Sequence, residues 1–125
     1  MRRTSSGSKY ERDAAYCRAV ICDGWVFVAG TTGTDYATGH VPPGAVAQTE
    51  LALKNIAAAL VEAGCSFTDV VRVTYILPDR DAFPACLPAI RAAFGDAPPA
   101  ATMIQAGLID AELEIEIEVT ARLPG

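Results

Sequence analysis

The chain has 125 residues, 51 % of them hydrophobic, and a formal net charge of −5. That length holds one domain with one core, and so apolar a composition at this size implies that some hydrophobic surface closes against another copy. An acidic chain whose ten Lys and Arg are scattered lacks the basic stripe of a nucleic-acid grip, and no apolar run approaches the length needed to span a membrane.

Residues 1–13 are polar and read as a flexible arm. They contain no apolar stretch of the kind a secretory leader carries. Tyr16–Ile21 and Trp25–Gly30 are apolar runs flanking Cys22-Asp23-Gly24, and Asp-Gly between two such runs is a hairpin signal. Thr34–Gly44, rich in Gly, Pro, Asp and Thr, reads as a loop. Val46–Ala63 carries Val46, Leu53, Ile56 and Leu60 at helical spacing, with Gly64 placed to stop it. Val70–Leu77 is β-branched and aromatic, a strand halted by Pro78. A second helix follows, with Phe83, Leu87, Ile90 and Phe94 on one face, Asp81 as its cap and Gly95 as its end. Pro88 either kinks it or marks its true start. Thr102–Ala106 and Leu113–Ala121 are the last strands.

The last of these alternates strictly. Leu113, Ile115, Ile117 and Val119 share one face, and Glu112, Glu114, Glu116 and Glu118 share the other. Four carboxylates on one strand face repel one another unless water or a cation relieves them. The element order β-β-α-β-α-β-β, with a hairpin at each end, gives an α+β domain spanning residues 1–125. It is a mixed sheet of about six strands with two helices on one face. The open face is the natural site of self-association.

The four cysteines (Cys17, Cys22, Cys65, Cys86) lack CxxC spacing and there is one histidine, His40. This argues against a structural zinc site and a His-based catalytic dyad or triad. The thiols read as small reduced hydrophobes of a cytoplasmic protein. His40 sits in a polar loop and reads as solvated. Trp25 and Tyr75 read as core or interface fillers rather than base-stacking platforms.

The order of elements and several local motifs resemble the Rid (reactive intermediate deaminase, YjgF-like) family over about Tyr16 to Ala121. The pieces are the Tyr16 strand, the strand ending Val28-Ala29-Gly30, the loop TGHVPPGAVAQTELALKNI, then VEAGCSFTDVVRVTYIL, the AF…AF helix and PPAAT…IEIEVTA. The resemblance implies a chorismate-mutase-like fold and a homotrimer with a barrel-like centre and clefts between subunits. It also implies hydrolysis of small enamine or imine intermediates, such as 2-aminoacrylate, to keto acids and ammonia without metal or organic cofactor. Matching positions to the family's site picks out Glu116 as the residue that handles water. Tyr16, Ala29, Gly30, Ala101 and Met103 fall at substrate-binding positions.

Ala101 stands where active members carry the arginine that grips the substrate carboxylate, and Ala29 stands where they carry a serine. An alanine offers no charge-assisted hydrogen bond. The loss of a grip worth about 1.5–3 kcal/mol puts 2-aminoacrylate turnover in doubt. Arg18, two residues after Tyr16, is a candidate replacement cation if both lie on one strand face. Arg72 is a second candidate, better suited to an ion pair. Thr31 and Thr32 follow the cleft glycine and offer hydroxyls. The sequence therefore supports a variant site that binds, and hydrolyses, small imine, enamine or related carbonyl metabolites. The alternative is a non-catalytic metabolite-binding trimer. A ribonuclease or translation-inhibitor role, described for some family members, is disfavoured by the acidic charge.

Overall fold

A computed structural model describes all 125 residues. Six strands form one mixed sheet in the order β1-β2-β3-β6-β4-β5. The strands are β1 (Arg2–Thr4), β2 (Ala19–Cys22), β3 (Trp25–Thr32), β4 (Val70–Leu77), β5 (Ala100–Gln105) and β6 (Glu116–Arg122). Three helices accompany them: α1 (Lys9–Asp13), α2 (Ala45–Ala63) and α3 (Phe83–Phe94). All neighbours pair antiparallel except β4 and β5, which run parallel and are joined by α3.

The core lies between the sheet and α2 and α3. Val26, Val28, Val73, Ile117 and Val119 from the strands meet Ile56, Leu60 and Phe94 from the helices, all of them buried. The alternation seen in sequence thus has its physical origin. On β6, Ile117, Val119 and Ala121 are buried while Glu118 and Arg122 are exposed. The opposite sheet face is open. It carries exposed Trp25 and Phe27, with Arg122 lying over the Trp25 ring. Tyr75 faces the core against Phe83, and burial pushes its phenol up to about 12.

The β2–β3 hairpin turns at Asp23-Gly24, both with positive φ, the type I′ geometry that Asp-Gly favours. Helix α2 ends at Gly64 as expected. Helix α3 runs unbroken through Pro88 from Phe83 to Phe94. The residue that caps the turn before it is Asp79, whose carboxylate accepts from the Asp81 backbone N–H, rather than Asp81 itself.

Further expectations are corrected. The last two strands form no hairpin, because β4 lies between β5 and β6 and pairs with both. Residues 1–13 form structure: β1 adds an edge strand to β2, and α1 is capped by the Ser8 side chain. A five-residue helix does not hold itself in water. Here it is fixed by burial of Glu11 against Arg18. The first strand begins at Ala19, not Tyr16, because Ala15 has a positive φ and the Tyr16 N–H bonds back to the Glu11 carbonyl. The last strand begins at Glu116, not Leu113. The Glu114 N–H is taken by the Gln48 side chain, so no ladder bond forms there.

Candidate active site

One end of the β3–β6 pair opens into a cavity of about 190 Å³. Its wall includes Tyr10, Tyr16, Gly30, Thr32, Tyr36 and Glu116. The β3–β6 register shifts between Val28 and Thr31. Such a bulge re-aims side chains, and bulges are common beside active sites. The shift places Gly30 under the Glu116 carboxyl. A Cβ on Gly30 would sit 2.9 Å from the Glu116 carboxyl carbon and 3.0 Å from its Oε2. A glycine is therefore what allows the carboxylate to lie flat against the β3 backbone. Burial, then the neighbouring Glu118 charge, push the Glu116 carboxyl above its ordinary range, with Arg18 pulling weakly the other way. A carboxyl tuned upward is a better proton acceptor and donor near neutral pH.

The four glutamates of the closing stretch divide into four roles. Glu112 is exposed on the cavity rim. Glu114 turns to the start of α2, where its Oε2 accepts from the Gly44 N–H at 2.7 Å, next to the positive end of the helix dipole. Glu116 lines the cavity, and Glu118 lies on the open sheet face beside Arg72 and Thr74. Gln48, fully buried, ties the segment in place. Its Nε2 donates to the Pro42 and Glu112 carbonyls and its Oε1 accepts from the Glu114 N–H.

Arg18 does not serve as a cavity cation. Tyr16 and Arg18 are not on a strand, so the period-two argument that placed them together fails. Arg18 is 3 % exposed and turns to the helix side. There its Nη2 lies 3.4 Å from Glu11 Oε2, and its Nη1 donates to the Gly30 carbonyl and Thr31 Oγ1. Its guanidinium is 4.6 Å from the Tyr36 ring centroid and 5.7 Å from that of Tyr16. Arg18 is thus a strut behind the wall, backing two tyrosines. Burial pushes the Glu11 carboxyl up, but hydrogen bonds from Ser6 and Ser5 and the Arg18 charge outweigh it and hold the group below its ordinary value. Thr31 is likewise turned inward, its hydroxyl shared between Arg18 and the Ala29 carbonyl, and Thr32 lines the cavity in its place. Ala29 borders a separate shallow depression with Cys17 and Phe27.

Ala101 and Met103 are also apart from this cavity within one chain. They lie on β5, exposed along its whole length, with β4 between β5 and β6. Tyr16, Gly30 and Glu116 are therefore brought together by the fold, and the other two positions are not.

The residue pattern and fold match known proteins across most of the chain. A family model described as endoribonuclease L-PSP matches residues 7–123. The chain belongs to the Rid (YjgF-like) family. A Rid relative from Rattus norvegicus, 2-iminobutanoate/2-iminopropanoate deaminase, is 36 % identical over 108 residues, covering 86 % of this chain and 79 % of that protein. The crystal structure of Rv2704 from Mycobacterium tuberculosis, a YjgF/YER057c/UK114 family member, superposes with a TM-score of 0.89 at 35 % identity, covering 98 % of each chain. E. coli TdcF, solved with bound serine, has a TM-score of 0.80 at 25 % identity, over 87 % of this chain and 88 % of that one.

Several wall residues carry no signal in the sequence. Tyr10 lies in the arm read as flexible and Tyr36 in a loop read as punctuation, yet both line the cavity. The Tyr36 hydroxyl accepts from the Thr32 N–H, and the Tyr10 hydroxyl donates to Asp110 Oδ2. That hydrogen bond and the Asp110 charge raise the Tyr10 phenol above its usual range. Asn55 from α2 donates to the Thr32 and Thr34 carbonyls and so fixes the end of β3. Only the Ser-x-x-Glu spacing of Ser8 and Glu11 hinted at a helix start there.

Proposed function

We propose that this protein is a cofactor-independent hydrolase of small imine or enamine intermediates, working as a homotrimer with a cleft at each subunit boundary. The observation that carries the reading is Glu116, a half-buried carboxyl of raised pKa held over Gly30 in a tyrosine-walled cavity. Relatives named as imine deaminases and a relative solved with bound serine agree with a small imine or amine-related ligand class. The Glu116 carboxylate takes a proton from water as the oxygen adds to the imine carbon. It then returns that proton to nitrogen, and the carbinolamine's hydroxyl proton passes to nitrogen as the C–N bond breaks, the carbonyl forms and ammonia leaves. A trimer is supported by the open sheet face, with Trp25 and Phe27 exposed on it, and by the position of Ala101 and Met103 on a bare edge strand, where a second copy could bring them to a cavity.

The test is a trapping assay. Imines with and without a carboxylate are generated in solution, and the protein competes with semicarbazide for them. Faster imine loss is expected, falling by about 10²–10⁴ in Glu116→Gln. Light scattering should give three chains per particle. No acceleration with any imine would favour the non-catalytic metabolite-binding trimer.

A further inference from the structure

The same cavity has a sign. Asp110, Glu112 and Glu116 stand around it, and no Lys, Arg or His lines it. The one arginine nearby, Arg18, is sealed behind the wall and already matched by Glu11. The three carboxylates do not converge as a metal-ligating group. Instead they are interleaved with Tyr10 and Tyr16, whose rings remain exposed. Aromatic faces and dispersed carboxylates together attract an organic cation and repel an anion. Strand β5, which carries Ala101 and Met103, reads AATMIQ and has no charged residue along its length, so it brings no cation from any second copy either.

Resting on the hydrolase reading above, we infer that the substrate is a small protonated imine without a carboxylate: an iminium derived from a simple amine rather than from an amino acid. The iminium is the electrophilic form of the imine, and surrounding negative charge keeps it protonated. Water adds to the iminium carbon and gives its proton to Glu116. The C=N bond becomes a single bond in the carbinolamine, Glu116 returns the proton to nitrogen, and the C–N bond breaks with its electron pair leaving on nitrogen. The hydroxyl proton passes to the departing ammonia, so iminium and water become ketone or aldehyde and ammonium. Within one chain, a carboxylate on the same carbon would face three like charges and no guanidinium lining the cavity.

The experiment uses two imines that differ only in a methyl or a carboxylate on the reacting carbon. Propan-2-imine is generated by oxidising isopropylamine, and 2-iminopropanoate by oxidising alanine. The expected result is a kcat/KM for propan-2-imine at least about a hundredfold above that for 2-iminopropanoate, the scale of discrimination that an uncompensated like charge imposes. Glu112→Gln, which removes a rim charge that accepts no side-chain hydrogen bond, should narrow that ratio severalfold. A ratio near or below one overturns the inference and leaves the hydrolase reading standing. A variant that slows both substrates equally also overturns it, because a merely structural role would do the same. Acceleration of neither imine overturns both readings at once.

Discussion

Strands β6 and β5 both carry residues that the family pattern assigns to one site, but the fold treats them differently. Strand β6 sits in the middle of the sheet between β3 and β4, and its outward side chain Glu116 is fixed by the β3 bulge, by Gly30 and by burial. Strand β5 is an edge. All six of its residues are exposed, including Ala101, Met103 and Ile104. An exposed apolar edge is an invitation to pair or pack with another chain. The lesson is that the Glu116 half of the cavity is complete in one chain, whereas β5 stays bare until something covers it.

The comparison breaks most strongly at the wall behind β3. Glu11→Ala leaves Arg18 buried without its charge partner, a change that costs about 3–5 kcal/mol. Thermal unfolding should show this as a drop on the order of ten degrees or more. If Glu11→Ala unfolds at the wild-type temperature, the arm is not part of the built site. The same pair sets a pH dependence. The Glu11 carboxyl is held below the ordinary carboxylate range, so its contribution is present above that range and is lost as pH falls through the folded pKa. Glu116, raised above the ordinary carboxylate range by burial, has the opposite sign: its protonated form is favoured in the fold. Glu11→Gln should therefore flatten the acid limb of an unfolding curve.

Gly30→Ala acts next. Its new methyl would lie 2.9 Å from the Glu116 carboxyl carbon, and the side chain must move. Misplacing a catalytic group by about 1 Å costs on the order of a hundredfold, so imine hydrolysis should fall by roughly ten- to a hundredfold. Unchanged kinetics would show that Glu116 does not need this seat.

The smallest effect is expected on β5. Ala101→Arg supplies a guanidinium on an exposed edge. It should leave the unfolding temperature nearly unchanged while raising kcat/KM for 2-iminopropanoate by about tenfold, as one charge-assisted contact permits. No change would mean that β5 does not join the cavity in the assembled protein.

The hairpin at Asp23-Gly24, helix α2 and the alternation around Glu116 were legible because each is a local pattern: a turn dipeptide, a 3.6-residue period, a 2-residue period. The family motif also singled out Glu116 from its three neighbours, and the fold gives each of the four a different environment. Arg18 was misread for a physical reason. Period two holds only within a strand, and the Glu11–Tyr16 bond with the positive φ at Ala15 ends that regularity before Ala19. Tyr36 and Asp110 have no local signal that marks them, and Tyr10 has only the Ser8-x-x-Glu11 spacing around it.

The sequence by itself determined the family, the Asp23-Gly24 hairpin, helix α2 and most of the strand positions, since these depend on neighbouring residues and fixed spacings. Only the tertiary structure decided where the charges stand. Arg18 is paired with Glu11 behind the wall, 7 positions away in sequence, while three carboxylates from the closing segment are left around the cavity. Long-range packing sets which side of a wall a long side chain takes, and with it the sign of the site.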